Sequence, residues 1–527
     1  MPVHDAPPSA SSSRLPLWGL AAAVAAYLVM AVFGLPQHGR DLLVRSQAAH
    51  AAGHADHPAD DKNQHGEASD AGHGGTAAPP PATVIPFALL LAAIAILPLT
   101  PGISHWWEHN SSKLLVAGLL AAVTLGYYLA FHQQPVDLHF PAHAVVEPAA
   151  GLSWPTVGAV LANALLSEYV PFITLLFALY VITGGVRIEG DLEATPTTNA
   201  AFLAVGALLA SFIGTTGAAM LLVRPLLETN RERRHVAHTL VFFIFIVCNC
   251  GGLLLPIGDP PLFLGYLQGV DFLWTLSLWN EWLFTNTTLL AIYWIWDTFV
   301  AHPRETRADL VRDRVLTRSL RFSGLWPNLP LMAGVIAAVA LLDPSKPVPG
   351  TSWHPWLYLR EAVLLGLVGL SLLLGSDGIR RKNGFTYAAI LEVAALFIGI
   401  FICMQPALAL LHVHGDSLGL ASPQAYFWST GALSSVLDNA PTYLVFFEAA
   451  GIEPADGLTS EEARLLAAVS LGAVFLGAMT YIGNGPNFMV KAIAEQSGVR
   501  MPSFFGYIMY SMGVLLPVFA LMAWLFV

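Results

Sequence analysis

The chain has 527 residues, of which 55% are apolar and only 11% charged, with a formal net charge of −11 and a mean hydropathy of +0.61. This composition excludes a soluble globule as the main body of the protein and points to a polytopic membrane protein. The basic residues form no concentrated stripe, so no nucleic-acid partner is expected.

Residues 1–35 read as an N-terminal tail and a first membrane span. Only Arg14 precedes the apolar run Leu17–Phe33 closely, so this run reads as a retained span rather than a cleavable signal. Residues 36–83 read as a His-rich outside loop, with His38, His50, His54, His57, His65 and His73 set among Asp, Gly and Ala and ending in Pro79, Pro80 and Pro81. Imidazoles among carboxylates can bind Zn²⁺, Cu²⁺ or Ni²⁺, so a weak metal site at His50, His54, His57, His65 and His73 is one reading. Their spacing matches no defined structural site, and a solvated, disordered loop is the other. The three cysteines, Cys248, Cys250 and Cys403, all fall in expected spans and read as small apolar fillers, not as a disulfide framework.

Further apolar runs long enough to cross a bilayer follow at 84–100, 113–131, 156–185, 235–268, 280–299, 324–342, 358–375, 385–403, 464–496 and 503–527. Together with 17–35 they predict an all-α polytopic protein of roughly eleven crossings. Residues 84–155 hold additional scaffold helices, 156–299 a first repeat, 300–323 an Arg-rich cytoplasmic loop and 324–527 a second repeat.

The repeats rest on two matching elements. Ser211–Met220 reappears as Ser435–Leu444, a shift of 224 (435 − 211), and Gly252–Phe263 as Gly477–Phe488, a shift of 225 (477 − 252). The first element lies in the apolar stretches 199–228 and 425–450, which read as re-entrant hairpins, and the second in the spans 235–268 and 464–496, which read as broken helices. Apolar segments interrupted by Gly and Pro at corresponding places in two halves point to a transporter's binding site.

The positive-inside rule orients the chain. Arg187, Arg231, Arg233 and Arg234 flank 199–228 on both sides, which a hairpin places on the cytoplasmic side with the loop 301–323 and the cluster Arg380–Lys382. The connections 132–155, 269–279, 404–424 and 451–463 lack Lys and Arg and fall outside. The two hairpins then enter from opposite sides, with the N-terminus in the cytoplasm and the C-terminus outside. The expected location is a bacterial inner membrane, with lipid as a partner.

Non-helical backbone at membrane depth must be buried in protein or line a watery cavity, and there its freed groups serve as ligands. The first hairpin tip offers Thr215 and Thr216; the second offers Asp438, Asn439 and Thr442. The broken spans add Asn249 and Asp259, and Asn484 and Asn487. This oxygen-rich set suits a hard cation such as Na⁺, so Na⁺ and H⁺ are the expected coupling ions and no cofactor is expected. Asp438 is the expected exchangeable group, because a carboxylate at membrane depth is functional by default and H⁺ and Na⁺ would compete for it. Glu392 is a second candidate for a proton relay, Glu168 a weaker one beside the irregular Tyr169-Val-Pro171, and His235 and His238 are expected at the interface.

The block Asn249–Phe263, the Asp438-Asn439 tip, Trp106–Asn110 and Arg224–Asn230 resemble the group that contains NhaD-type sodium/proton antiporters, arsenite permeases and citrate carriers. The resemblance covers roughly 84–527. It implies an ion-transporter-superfamily fold with a scaffold part, a transport part moving as an elevator, and a homodimer. Position by position, Asp438 and Asn439 match the antiporters' acidic-Asn pair, and Asn249 and Asp259 their polar positions in the first broken helix. The first hairpin departs, with Gly214-Thr215 where antiporters commonly carry a second Asp-Asn pair.

Three functions follow as expectations. The first is a secondary active sodium (cation)/proton antiporter. The second is a Na⁺- or H⁺-coupled carrier of citrate, a dicarboxylate or an arsenite-type anion. The third, a membrane-embedded enzyme, is disfavoured because no span carries a paired-His motif or a nucleophile elbow. Since the His-rich loop lies outside the repeats, deletion of residues 50–75 is expected to leave transport in proteoliposomes within about twofold of the full chain. Complete loss despite normal insertion would place function in that loop.

Overall fold

The computed structural model describes residues 14–55, 78–454 and 457–527. His57, His65 and His73 lie outside the described residues. His50 and His54 fall in a helix, Leu35–Ala55, where the sequence reading places loop.

The fold is almost entirely helical. α1 (Arg14–Val32) turns by 69° at Gly34 into α2 (Leu35–Ala55). α3 (Ile85–Ile96), α4 (Asn110–Ala130) and the long α5 (Trp154–Gly184) follow. α5 carries a π-helical segment, Ala162–Tyr169, that ends two residues before Pro171, which has no N–H to continue the ladder. This is the irregularity expected around Tyr169. Two short antiparallel ladders qualify the all-α expectation: β1 (Val136–Leu138) with β2 (Ala144–Val146), and β3 (Arg187–Asp191) with β4 (Arg318–Ser323). Both lie between the expected spans.

The central elements come in two parallel sets. In the first, α6 (Pro196–Ile213) and α7 (Thr215–Thr229) form a hairpin hinged on the single residue Gly214, and α8 (Ala237–Ile246) and α9 (Pro260–Leu267) are the halves of a broken helix. α10 (Trp279–Trp296) follows, then α11 (Arg307–Leu316) in the Arg-rich loop, α12 (Leu325–Leu341) and α13 (Leu359–Leu374). α14 (Ala388–Cys403) bends by 43° into α15 (Gln405–His414). In the second set, α16 (Pro423–Ser434) and α17 (Asn439–Ala449) form a hairpin, α18 (Ser460–Leu476) and α19 (Gly485–Gln496) a broken helix, and α20 (Phe504–Phe526) closes the chain.

Gly214 has φ +78° and ψ 150°, a conformation that L side chains rarely adopt, which lets α6 reverse into α7 without a longer loop. A Cβ on Gly258 would collide with Gly252 O, and one on Gly483 with Gly477 O, so each break is folded back on itself where no side chain fits. Both glycine pairs repeat at a shift of 225 (477 − 252; 483 − 258). The sets are also cross-packed: α9 lies against α17, and α19 against α7.

Among the described residues five helices are long and apolar enough to cross a membrane, Asn110–Ala130, Trp154–Gly184, Pro196–Ile213, Ser460–Met479 and Phe504–Phe526, or up to seven if the two bent pairs each count as one span. The roughly eleven crossings read from hydropathy exceed this number for a physical reason. Several expected spans are split, as 235–268 is into the 10-residue α8 and the 8-residue α9, and others are short, such as the 12-residue α3.

One end of the bundle is closed by polar contacts. Buried Arg233 pairs with Asp297 through both terminal nitrogens and lies 3.7 Å from Glu305. His238 is buried and bonded to Asp297 (3.1 Å), not interfacial as expected, because Asp297 and Tyr293 supply partners inside the bundle. His235 is half-exposed beside Glu305, as expected for the interface. These contacts, with the β3–β4 ladder, bring both flanks of the first hairpin to the Arg-rich segment. Arg187→Cys and Arg234→Cys are therefore expected to label from the same side of the membrane, and Ser417→Cys and Glu461→Cys from the other, with membrane-impermeant maleimide. Labelling of Arg187→Cys and Arg234→Cys from opposite sides would refute the re-entrant hairpin.

Candidate functional site

Four helices start at one place in the interior. The residues preceding α7, α9, α17 and α19 are Gly214, Asp259, Asp438 and Asn484. Their spacing is again that of the repeats, 224 (438 − 214) and 225 (484 − 259). The fold joins these termini by side-chain hydrogen bonds centred on Asp259.

Asp259 is 1% exposed. Its Oδ1 accepts from Thr215 Oγ1 (2.9 Å) and Asn484 Nδ2 (3.2 Å), and its Oδ2 from Asn439 Nδ2 (2.6 Å). One carboxylate thus ties the first residues of both hairpin return arms to both broken helices. Thr215 N also donates to Gly258 O at 2.8 Å, which closes the first tip on the first break.

A second layer lies behind it. Asn484 Nδ2 also reaches Cys248 O (3.1 Å) and Asn249 Oδ1 (3.2 Å). Asn249 donates to Ile244 O and to Asn487 Oδ1, both at 2.8 Å. Asn487 donates to Gly477 O (2.9 Å) and Thr480 O (3.0 Å), satisfying carbonyls that the break in the second helix frees. Asn249 and Asn487 are therefore clamps of the broken backbone as well as neighbours of the site.

Asp438 sits at the edge, half-buried, with Oδ1 accepting from Ala440 N at 3.3 Å as the cap of α17. Thr442 Oγ1 donates to Asp438 O at 3.0 Å. Thr216 is half-buried and, among the described residues, makes no side-chain hydrogen bond in this network. Glu392 is not brought in: it lies partly exposed on α14 and pairs with Lys113 of α4 at 2.6 Å, because α4 and α14 pack together and place that ammonium beside it. Glu168 is buried in the π-helical segment, with Oε1 3.4 Å from Gln268 Nε2.

Sequence reading missed the residues that hold the breaks open. Trp282 Nε1 donates to Gly251 O (3.1 Å) and Asn286 Nδ2 to Cys250 O (3.2 Å), both from α10. From α20, Tyr507 donates to Ala478 O (2.8 Å) and Ser511 to Met479 O (2.7 Å). Each pair is four residues apart on its helix, and the pairs are related by the repeat shift of 225 (507 − 282; 511 − 286), the signal that could have found them. Also missed is the buried neighbour pair Arg360 and Glu361 (2.7 Å), whose guanidinium lies over the rings of Phe263 and Tyr266 just beyond the site.

The donor set fits a hard cation. The site offers carboxylate, amide and hydroxyl oxygens, and the fully buried Asn439 Oδ1 has no hydrogen-bond partner among the described residues. A buried acceptor left unpaired is costly, and a cation there would satisfy it. The four helix N-termini carry roughly half an elementary positive charge each and favour anions. On the face bearing the Arg-rich segment, a cavity of about 420 Å³ is lined by Arg231, Arg233, Arg234 and Arg500 among others, at the ends of α7 and α19.

A family model described as "Putative citrate transport" matches residues 128–527 of the chain. No curated protein matches it. Because Asn487 alone satisfies Gly477 O and Thr480 O by side chain and also holds Asn249, Asn487→Leu is expected to cost at least about 2 kcal/mol. Thermal unfolding in detergent checks this; an unchanged midpoint would show that the second layer is not structural.

Proposed function

The chain belongs to the citrate-transport family whose model it matches, and we propose that it is a secondary active carrier of a di- or tricarboxylate anion of the citrate class, coupled to Na⁺ or H⁺. The observation that carries this reading is the meeting of four helix N-termini around Asp259, with a buried acceptor, Asn439 Oδ1, left for a cation. Asp259 has three neutral donors and, among the described residues, no ion pair. A carboxylate so buried calls for a proton or a bound cation to offset its desolvation. In this mechanism two coupling cations, one for each carboxylate, neutralise Asp259 and Asp438, with Asn439 Oδ1 and Thr215 as further ligands. The helix termini, no longer balanced by two carboxylates, then hold the substrate's carboxylates. Thr216 and Thr442 stand at the first turns of α7 and α17, where a substrate would meet them. Release of the cations restores the negative charge and expels the anion, which couples the two fluxes.

The wider architecture belongs to the same proposal: inverted repeats with eleven crossings and two re-entrant hairpins, moving as an elevator in a homodimer, with the C-terminus outside a bacterial inner membrane. The repeated glycine pairs, the cross-packing of α9 on α17 and α19 on α7, and the paired carbonyl donors of α10 and α20 support it. The arginine-lined cavity would gather anions on one face. The reaction is transport, with no enzymatic step.

A second reading, cation/proton antiport, is favoured by one feature: among the described residues no Lys or Arg side chain bonds to the Asp259 network, although the substrate would be anionic. Proteoliposomes with an internal pH dye and labelled citrate separate the two. Citrate uptake driven by a Na⁺ or H⁺ gradient is expected; proton movement with Na⁺ or Li⁺ alone, with citrate, succinate and arsenite inert, would replace the proposal by antiport. Asp259→Asn is expected to reduce uptake at least about tenfold, since an amide places an N–H against one of the donors Thr215, Asn484 or Asn439 and loses a charge-assisted bond. Asp438→Asn, which preserves shape, is expected to remove ion coupling while the protein still inserts.

A further inference from the structure

Away from the transport site, three carboxylates from three separate elements converge on the face that carries the Arg-rich segment. Asp191 ends β3, Glu232 follows α7, and Asp313 lies on α11. One carboxylate oxygen of each lies within 4.8 Å of the others. Asp191 is 8% and Asp313 3% exposed, so both are more than nine-tenths buried. Asp191 Oδ1, Glu232 Oε2 and Asp313 Oδ1 are all buried atoms with no hydrogen-bond partner among the described residues. Asp313 is also held in place: its Oδ2 accepts from Ala194 N at 2.9 Å, which leaves Oδ1 for the cluster.

Two buried carboxylates and a half-buried third, with open lone pairs, repel one another and need positive charge. The surrounding cations are largely committed elsewhere. Arg233 is taken by Asp297 and Glu305, Arg234 by Asp309 and Arg314 by Glu193. Arg318, opposite Asp191 in the β3–β4 ladder, is the remaining positive neighbour, while Glu228 and Glu193 add further negative charge. Burial first, and the neighbouring carboxylates second, hold Asp191 and Asp313 above the ordinary carboxylate range.

We propose that Asp191, Glu232 and Asp313 form a Ca²⁺ site, separate from the cargo site, that braces the first hairpin against β3 and the Arg-rich segment. The all-oxygen, all-anionic donor set selects a hard divalent cation. The number of carboxylates favours Ca²⁺, which takes about six to eight oxygens largely from protein, over Mg²⁺, which keeps several of its waters and is held by one or two carboxylates. Water and backbone carbonyls would complete the shell. The consequence is mechanical. Glu232 continues directly from α7, whose first residue Thr215 bonds to Asp259, so a cation at the cluster fixes the far end of the arm that reaches the transport site.

The test is Ca²⁺ titration of the full-length, EDTA-treated protein in detergent, followed by thermal unfolding. The expected result is a saturable rise in Tm of at least about 2 °C, larger with Ca²⁺ than with Mg²⁺. Glu232→Gln and Asp313→Asn are expected to shift the Ca²⁺ midpoint upward at least about tenfold. Without metal, both should melt at or above the wild-type temperature, because each removes like-charge repulsion. Asp259→Asn should keep the full Ca²⁺ response, so a failed transport proposal would leave this result standing. No Ca²⁺-dependent rise in the wild type, or an equal rise in Glu232→Gln and Asp313→Asn, would overturn the site.

Discussion

The rest of the structure depends on one constraint: a chain that interrupts its helices deep in an apolar body must find a partner for every amide and carbonyl it releases. Here the breaks between α8 and α9 and between α18 and α19 are buried, and their carbonyls are met by specific side chains. Trp282 and Asn286 serve one break, Tyr507 and Ser511 the other, and Asn487 and Asn484 reach across both. With the carbonyls occupied, the open backbone ends are the four helix N-termini, which face one another.

That geometry explains why an acid sits at the centre. Four partial positive charges brought together are unfavourable without a counter-charge, and Asp259 supplies it while accepting bonds from three neighbours. Under the function we propose, a cation on the carboxylate and an anion at the termini would act on the same few ångströms of electrostatics, so their coupling would need no long pathway.

The hairpins are held differently at their two ends. At the centre, Thr215 and Asn439 are fixed by hydrogen bonds to a group whose charge can change. At the other end of α7, Thr229 receives Leu192 N, and Arg233 is locked by Asp297 and Glu305. The β3–β4 ladder ties that end to the segment after α11. The first hairpin is thus anchored at a polar cap at one end and hydrogen-bonded to a buried carboxylate at its tip.

The membrane class, the two hairpins, the two breaks and most of the central side chains were legible in the sequence because each has a local cause. Long apolar runs, Gly and Pro inside them and a shift of 224 to 225 residues need no tertiary information to be seen. Thr215, Asn249, Asp259, Asn439, Asn484 and Asn487 were found because polar groups at backbone breaks are few and costly. What only the tertiary structure decided is which of them is central. Asp438 looks the better candidate in sequence, as an acid beside Asn in a hairpin tip, yet it caps α17 at the edge while Asp259 gathers three donors, two of them from the other half of the chain. Glu392 stood as a second candidate for a proton relay, and the packing of α14 on α4 pairs it with Lys113 instead. Such partners lie 44 to 279 residues away in the chain (259 − 215; 392 − 113), and no periodicity or motif carries a contact over that separation. The expected crossings outnumber the long unbroken apolar helices for the related reason that hydropathy sums over a run without seeing where Pro and Gly divide it into half-helices.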